Sequence, residues 1–292
     1  VPRDSTLSPL VDLQLPQHLV ESVSQSKEIK PEQALDANEV HVWMAATEQC
    51  QHPSLIETYV LWLDAQERSR YERYRFPRHR HEYLVAHALL RSCLSRYAEQ
   101  PPQDWRFSIN AYGQPEIQVE QGEPPLRFNL SHTEGLVTCA ITRAADVGID
   151  VEYGGQPVRA EDLAAIAAAH FAPVELAELA RLTGIAWRHR FFDIWTLKEA
   201  YIKAQGKGLS LPLQQFALRL QPGGPVPIQL DADSAPDPCQ DWGFALLRPT
   251  QSHHLAVAVR CPMPRHLQIG QAVPGLAFQP QQLPVMSSQG WV

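Results

Sequence analysis

The apolar positions change period along this chain, and each change marks an element. Val40-His-Val42-Trp-Met44 alternates with a period of two and predicts the first strand. Ser54 to Tyr74 predicts a helix. Glu82 to Tyr97, with Leu84, Ala88, Leu89, Cys93 and Leu94 at helical spacing, predicts a helix of the core. Ala111-Tyr-Gly-Gln-Pro115 is a turn by its Gly and Pro. Phe128 to Leu130 and Leu136 to Ile141 read as short strands around the turn Ser131-His-Thr-Glu-Gly135, and Val147 to Glu152 as the next strand. Ala160 to Leu182 is helical with an interruption at Pro173. Phe191 to Ala204 is a stronger helix, with Gly206 placed as its C-cap. Phe216 to Leu220, Phe244 to Leu247 and Leu255 to Val259 are the last predicted strands, and Pro222 to Pro238 is a Pro-, Gly- and Asp-rich loop.

The order is strand, helix, strands, then strand, helices, strands. That pattern predicts two α+β halves of similar size meeting near residue 146, with no repeat visible in the residues themselves. The organisation expected is an N-terminal arm over 1–38, a first subdomain over 39–146, a second over 147–262, and a Pro/Gln-rich tail over 263–292 held outside the core.

Composition narrows the function classes. The chain has 292 residues, 44% hydrophobic and 20% charged, which is ordinary for a globular protein with a sizeable core. Its net charge of -7 argues against nucleic-acid binding through bulk positive potential. The cysteine count is odd, at five, with no C-x-x-C pair. This disfavours a disulfide framework or a zinc site and fits a reduced, cytoplasmic setting. No stretch approaches the ~20 apolar residues that span a bilayer. Residues 1–30 lack the apolar core of a signal peptide.

The candidate chemistry lies in two segments. Asp150 and Glu152 are two apart on a predicted strand, so they face the same side, and Val151 faces the other. Two carboxylates on one face suit magnesium, which takes oxygen ligands and completes its shell with phosphate oxygens. On their own they read first as exposed acids on a solvated edge strand, because two acids at this spacing are a weak motif. Glu199 and Lys203 share a helix face at i and i+4, a spacing that also makes ordinary surface ion pairs. The surrounding helix is apolar around most of its circumference, which favours burial and hence a need for partners. His132, with Ser131 in the same turn, can meet a phosphate or simply a nearby carbonyl. Arg68, Arg70, Arg73, Arg75, Arg78, His79, Arg80 and His81 form a basic stretch, too many side chains for one ligand.

Four segments together are more specific than any one of them: Tyr112-Gly-Gln-Pro115, Phe128-Asn-Leu-Ser-His132, Val147-Gly-Ile-Asp-Val-Glu152 and Trp195-Thr-Leu-Lys-Glu-Ala-Tyr-Ile-Lys203, the last running on to Leu209. In this order they resemble the Sfp-type 4'-phosphopantetheinyl transferases, over about residues 40 to 260. The resemblance implies an α+β fold of two similar subdomains in a pseudo-two-fold arrangement, with the active site in the cleft between them. It implies transfer of the phosphopantetheine arm of coenzyme A to a serine of an apo carrier protein. Adenosine 3',5'-bisphosphate is released, and magnesium is the cofactor.

By the same resemblance Asp150 and Glu152 are magnesium ligands, and Glu199 is the third ligand or the base for the carrier serine. Lys203 meets the pyrophosphate. His132 and Arg70 meet the 3'-phosphate, and Ser131, Arg75 and Lys198 are grouped with the coenzyme A contacts. One position departs from the family: Gln114 stands where a Lys is frequent, so Arg75 or Arg78 is expected to supply the missing cation. The partners implied are acyl or peptidyl carrier domains of fatty-acid, polyketide, nonribosomal-peptide or siderophore synthesis, and a monomer is expected. A magnesium-dependent phosphohydrolase using the same acids, and a non-catalytic carrier-binding module, are the competing readings.

Overall fold

A computed structural model describes residues 35–118, 126–143, 145–206, 211–220, 229–230, 242–260, 266–289 and 291. The N-terminal arm before residue 35, most of the Pro222–Pro238 loop, Cys239 and Cys261, and the Lys207–Leu209 end of the fourth segment lie outside the described residues.

The strands are β1 (Glu39–Ala46), β2 (Phe107–Ile109), β3 (Pro115–Ile117), β4 (Leu126–Thr133), β5 (Leu136–Arg143), β6 (Val147–Tyr153), β7 (Leu218–Arg219), β8 (Gln229–Leu230), β9 (Trp242–Leu247), β10 (His253–Arg260), β11 (His266–Val273), β12 (Ala277–Pro280) and β13 (Val285–Gln289). The helices are α1 (Pro53–Trp62), α2 (Ala65–Arg73), α3 (Pro77–Tyr97), α4 (Ala160–His170), α5 (Pro173–Leu179) and α6 (Gly184–Gln205). No described helix is long and apolar enough to cross a membrane.

The described residues fall into two compact units, one of residues 35–147 and 266–282, the other of residues 148–260 and 283–291. The first holds a sheet ordered β12-β11-β1-β5-β4 and the hairpin β2-β3; the second holds β13-β9-β10-β6 and the pair β7-β8. The two units share an internal plan. Each runs strand, helices, hairpin, and in each the first strand lies beside the last: β1-β5-β4 in one, β6-β10-β9 in the other. The long helix packs on the corresponding strand in both, α3 on β5 and α6 on β10.

In the first unit β1 is central, flanked by β5 and β11, so its alternating pattern does not divide into a wet and a dry face. Val40 to Ala46 is buried throughout. Two of the polar atoms this brings inside are met by one hydroxyl at the end of α3. The Trp43 indole N–H donates to Tyr97 Oη at 2.7 Å, and the His41 Nδ1 lies 2.7 Å from the same oxygen.

The helix predicted over 54–74 is broken into α1 and α2. Asp64 starts a new helix because it forms a capping box: its carboxylate accepts from the Gln66 and Glu67 N–H groups, and Glu67 reaches back to the Asp64 N–H. The core helix starts at Pro77 rather than at Glu82. Proline is tolerated at the first helical position, so Arg78 to His81 lie on the first turns of α3.

The segment after Pro262 differs most from expectation. It is not a tail outside the core but supplies β11 and β12 to the first sheet and β13 to the second. Its average composition hides a proline-free run, 265–273, that pairs in parallel with β1. Gly270 is needed there, since a Cβ would lie 2.2 Å from the Trp43 ring and 2.6 Å from the Gln279 carbonyl oxygen. Leu35, at the end of the expected arm, is likewise in the core, and its carbonyl accepts from Arg143.

Candidate active site

In the second unit, α6 lies directly on β6, and one residue permits it. A Cβ on Gly148 would sit 1.9 Å from the Ala200 carbonyl oxygen and 2.5 Å from the Ala204 amide nitrogen. Glycine on the strand and alanines on the helix let the two backbones touch, which brings the strand acids within reach of the helix charges.

Asp150 is buried and Glu152 half-buried, while Ile149 and Val151 pack inside the unit. β6 is indeed an edge strand by sheet order, but α6 covers it, so the solvated reading of these acids does not hold. Lys203 reaches across to the strand. Its ammonium donates to Asp150 Oδ1 at 2.6 Å and to the Ile149 carbonyl oxygen at 3.1 Å. Trp195, two turns earlier on the same helix face, donates its indole N–H to Glu152 Oε1 at 3.2 Å.

The three carboxylates feel one another. Burial pushes the Glu152 carboxyl up to about 7, and the Asp150 charge adds to it; the Trp195 hydrogen bond and the Lys203 charge oppose, and Glu199 adds a further push. Burial and the Asp150 charge push Glu199 up to about 6 against the pull of Lys203. Such crowding of oxygen donors suits a hard divalent cation in charge and donor type. Among the described residues, however, no three His, Cys, Asp or Glu side chains converge into a ligating set, and Lys203 occupies an Asp150 oxygen.

Two family models cover most of the chain. One, described as 4'-phosphopantetheinyl transferase superfamily, matches residues 146–258; the other, 4'-phosphopantetheinyl transferase, N-terminal, matches 51–144. The 4'-phosphopantetheinyl transferase HetI of Nostoc sp. (strain PCC 7120) is 33% identical over 229 residues, 78% of this chain and 91% of that protein. The chain belongs to the Sfp-type 4'-phosphopantetheinyl transferases. The 4'-phosphopantetheinyl transferase Sfp of Bacillus subtilis (strain 168) is also 33% identical, over 62% of this chain and 76% of its own length. A phosphopantetheinyl transferase of Thraustochytrium sp. is 28% identical over 74% of this chain and 75% of its own. The two matched spans meet where the transferase passes from one unit to the other, and its strands β11 to β13 lie beyond both.

The transferase uses Lys198 differently from the expectation. Its side chain is fully buried, and its ammonium binds Glu175 at 2.9 Å and the carbonyls of Leu213 and Phe216 at 2.8 and 2.6 Å. With its donors spent inside the unit, Lys198 ties α5 to the segment after α6 and is not a coenzyme A contact. Glu175 in turn accepts from the Ala172 and Leu218 N–H groups.

In the first unit, Ser131 and His132 lie within β4 rather than in the turn, which is the two-residue connection Glu134-Gly135 with Gly135 at φ 78°. Adjacent strand residues point to opposite faces, so Ser131 is buried and His132 exposed. Only His132 presents its side chain to solvent.

The basic stretch sorts itself by partner. Arg68 and Arg80 donate to the carbonyls of Val60 and Tyr74, Arg73 to that of Ser69, and His81 Nε2 lies 2.8 Å from the Thr47 carbonyl oxygen. Arg70 lies over the Tyr83 ring and Arg75 over Phe76, both guanidinium groups exposed. Arg78 is the one that the fold carries to the His132 hairpin, since its guanidinium is 3.3 Å from Glu134. The sequence signal for it was Pro77: a helix starting there puts Arg78 on the first turn. Gln114 closes the β2–β3 loop: its N–H donates to Asn110 Oδ1 and its carbonyl accepts from the Asn110 N–H.

Proposed function

We propose that this transferase moves the 4'-phosphopantetheine arm of coenzyme A to a serine of an apo carrier protein and releases adenosine 3',5'-bisphosphate. The observation that carries the reading is the set Asp150, Glu152, Glu199 and Lys203, drawn together by the Gly148 contact inside the span that matches the superfamily. Asp150 and Glu152 would hold magnesium, with Glu199 as the third ligand or as the base for the carrier serine. When bound, the ion neutralises negative charge on the pyrophosphate.

The chain's own groups do the rest. Where Glu199 serves as the base, it accepts the proton of the carrier serine, directly or through water. The serine oxygen forms a bond to the phosphorus that bears the pantetheine arm. The bond from that phosphorus to the bridging oxygen breaks, and the electron pair leaves with the adenosine 3',5'-bisphosphate. Lys203 offsets the charge that grows on the leaving oxygen. His132, with Arg78, Arg75 and Arg70 on the same unit, supplies cations and donors for the 3'-phosphate.

The test is Glu199→Gln. It retains coenzyme A binding by calorimetry, while transfer to an apo carrier, read by mass, falls by at least about a hundredfold. Transfer close to the wild-type rate overturns the assignment.

A further inference from the structure

We infer that the imidazole pair His189–His254 is a proton-operated latch, which holds residues 154–158 on α6 while it is neutral and releases them in mild acid. The segment is the one that leads from β6 to α4.

The pair belongs to a line of polar side chains inside the second unit. His254, fully buried at the start of β10, has its Nδ1 2.8 Å from Asp193 Oδ1 of α6. A carboxylate only accepts, so His254 carries its proton on Nδ1 and its Nε2 is an acceptor. His189 Nδ1 lies 3.2 Å from that Nε2 and donates to it. Asp193 also accepts from Arg248 Nη2, while Arg248 Nη1 is buried with no partner among the described residues. The other charged groups near the line are Arg188 on α6 and, toward Asp193, Glu178 of α5, itself paired with Arg190. His253, next to His254 in β10, points to the opposite face and packs on Tyr153.

The same residues hold the segment. Gly154 brings its backbone against the pair: a Cβ there would lie 3.1 Å from His254 Nε2 and 3.2 Å from the Phe192 ring. Arg188, beside His189 in sequence, donates to the carbonyl oxygens of Gly154 at 2.8 Å, of Val158 at 3.0 Å and of Gln156.

Protons undo this arrangement. Burial holds both imidazoles below the usual histidine value, His254 at about 4, against the pull of Asp193. The stability contributed by neutral His254 is therefore fully present above pH 6.5 and is lost as the pH falls toward 4. A first proton can be shared between the two facing nitrogens, but its charge lies beside Arg248 and Arg188, with Asp193 already engaged by Arg248. A second proton leaves two N–H groups facing each other, and the pair must part. His189 is the half-buried member, so it is the one that moves, and Arg188 moves with it.

The experiment is hydrogen exchange of the whole protein, read by mass at about pH 7.5 and about pH 5 and corrected for the intrinsic rate. The probe is the peptide covering 153–158, whose Gly154 N–H is held by the Ser252 carbonyl oxygen at 2.7 Å; the reference is β9 of the same unit. Protection of 153–158 is expected to fall about tenfold at the lower pH while β9 is unchanged. In His254→Gln, which keeps a donor and an acceptor but does not titrate, the fall disappears. His189→Gln removes the second proton and has the same effect, so it decides the matter where His254→Gln fails to fold.

Equal protection of 153–158 at both pH values overturns the inference. So does a loss shared equally by β9, which marks unfolding of the unit rather than release of the segment, and so does a fall that persists in the glutamine variants.

Discussion

Lys203 Nζ sits 2.6 Å from Asp150 Oδ1, a contact between the last turn of one helix and the middle of an edge strand. It exists because Gly148, two residues before Asp150, leaves no side chain between that strand and Ala200 and Ala204. The geometry of the site thus depends on a residue with no chemistry of its own.

Gly148→Ala is expected to separate the strand from the helix. The new methyl group would overlap backbone that cannot yield, so the cost is about 1–3 kcal/mol by denaturant titration. Transfer should fall further than stability alone explains, because Asp150 and Glu152 move relative to Glu199 and Lys203. A variant of wild-type stability and activity contradicts this account of the strand–helix contact.

Glu152 gives a pH prediction for the metal-free protein. Its carboxyl rises from 4.5 in the unfolded chain to about 7 in the fold. The folded state therefore holds a proton that the unfolded chain has released, and the contribution present below pH 4.5 is lost as the pH rises through 7. With a chelator present, Glu152→Gln should be more stable than wild type at pH 8, with the difference vanishing near pH 4. Equal stability at both pH values in chemical denaturation contradicts it.

Glu67 gives the opposite sign. Burial alone would raise its carboxyl. The His87 hydrogen bond, the His87 and Arg91 charges and the Asp64 N–H outweigh burial and hold it at about 2. The stabilisation is present above pH 4.5 and is lost as the pH falls toward 2, about 3 kcal/mol in all. Glu67→Gln also strands the fully buried Arg91, so it should cost about 3–5 kcal/mol at pH 7. A cost below 1 kcal/mol contradicts this.

The second-half acids were legible in the sequence because strand and helix periods place side chains by simple counting. Counting does not report what a lysine reaches. Lys198 and Lys203 lie in one motif; the first turns inward to Glu175, and only the second faces Asp150. The duplicated plan was legible as an order of elements. The matching strand adjacency, β1 beside β5 and β6 beside β10, depends on pairings distant in sequence. β11 was illegible for a related reason: its neighbour β1 lies more than two hundred residues earlier, and the prolines and glutamines of the segment around it resemble a linker.

Lys198→Met should discriminate position from proximity to the motif. It leaves Glu175 buried without its cation, so stability should fall by about 3–5 kcal/mol. The Michaelis constant for coenzyme A, measured on the folded fraction, should stay within twofold. A large rise in that constant with unchanged stability would return Lys198 to the coenzyme A contacts.

The most direct measurement is to incubate the transferase with coenzyme A, magnesium and a panel of apo carrier proteins, then weigh each carrier. The account predicts that at least one carrier gains a single phosphopantetheine group, matched by an equal amount of adenosine 3',5'-bisphosphate. It also predicts that the gain disappears when the carrier serine is replaced by alanine. Carriers of unchanged mass across the panel, with coenzyme A intact or cleaved to free phosphopantetheine, would contradict it.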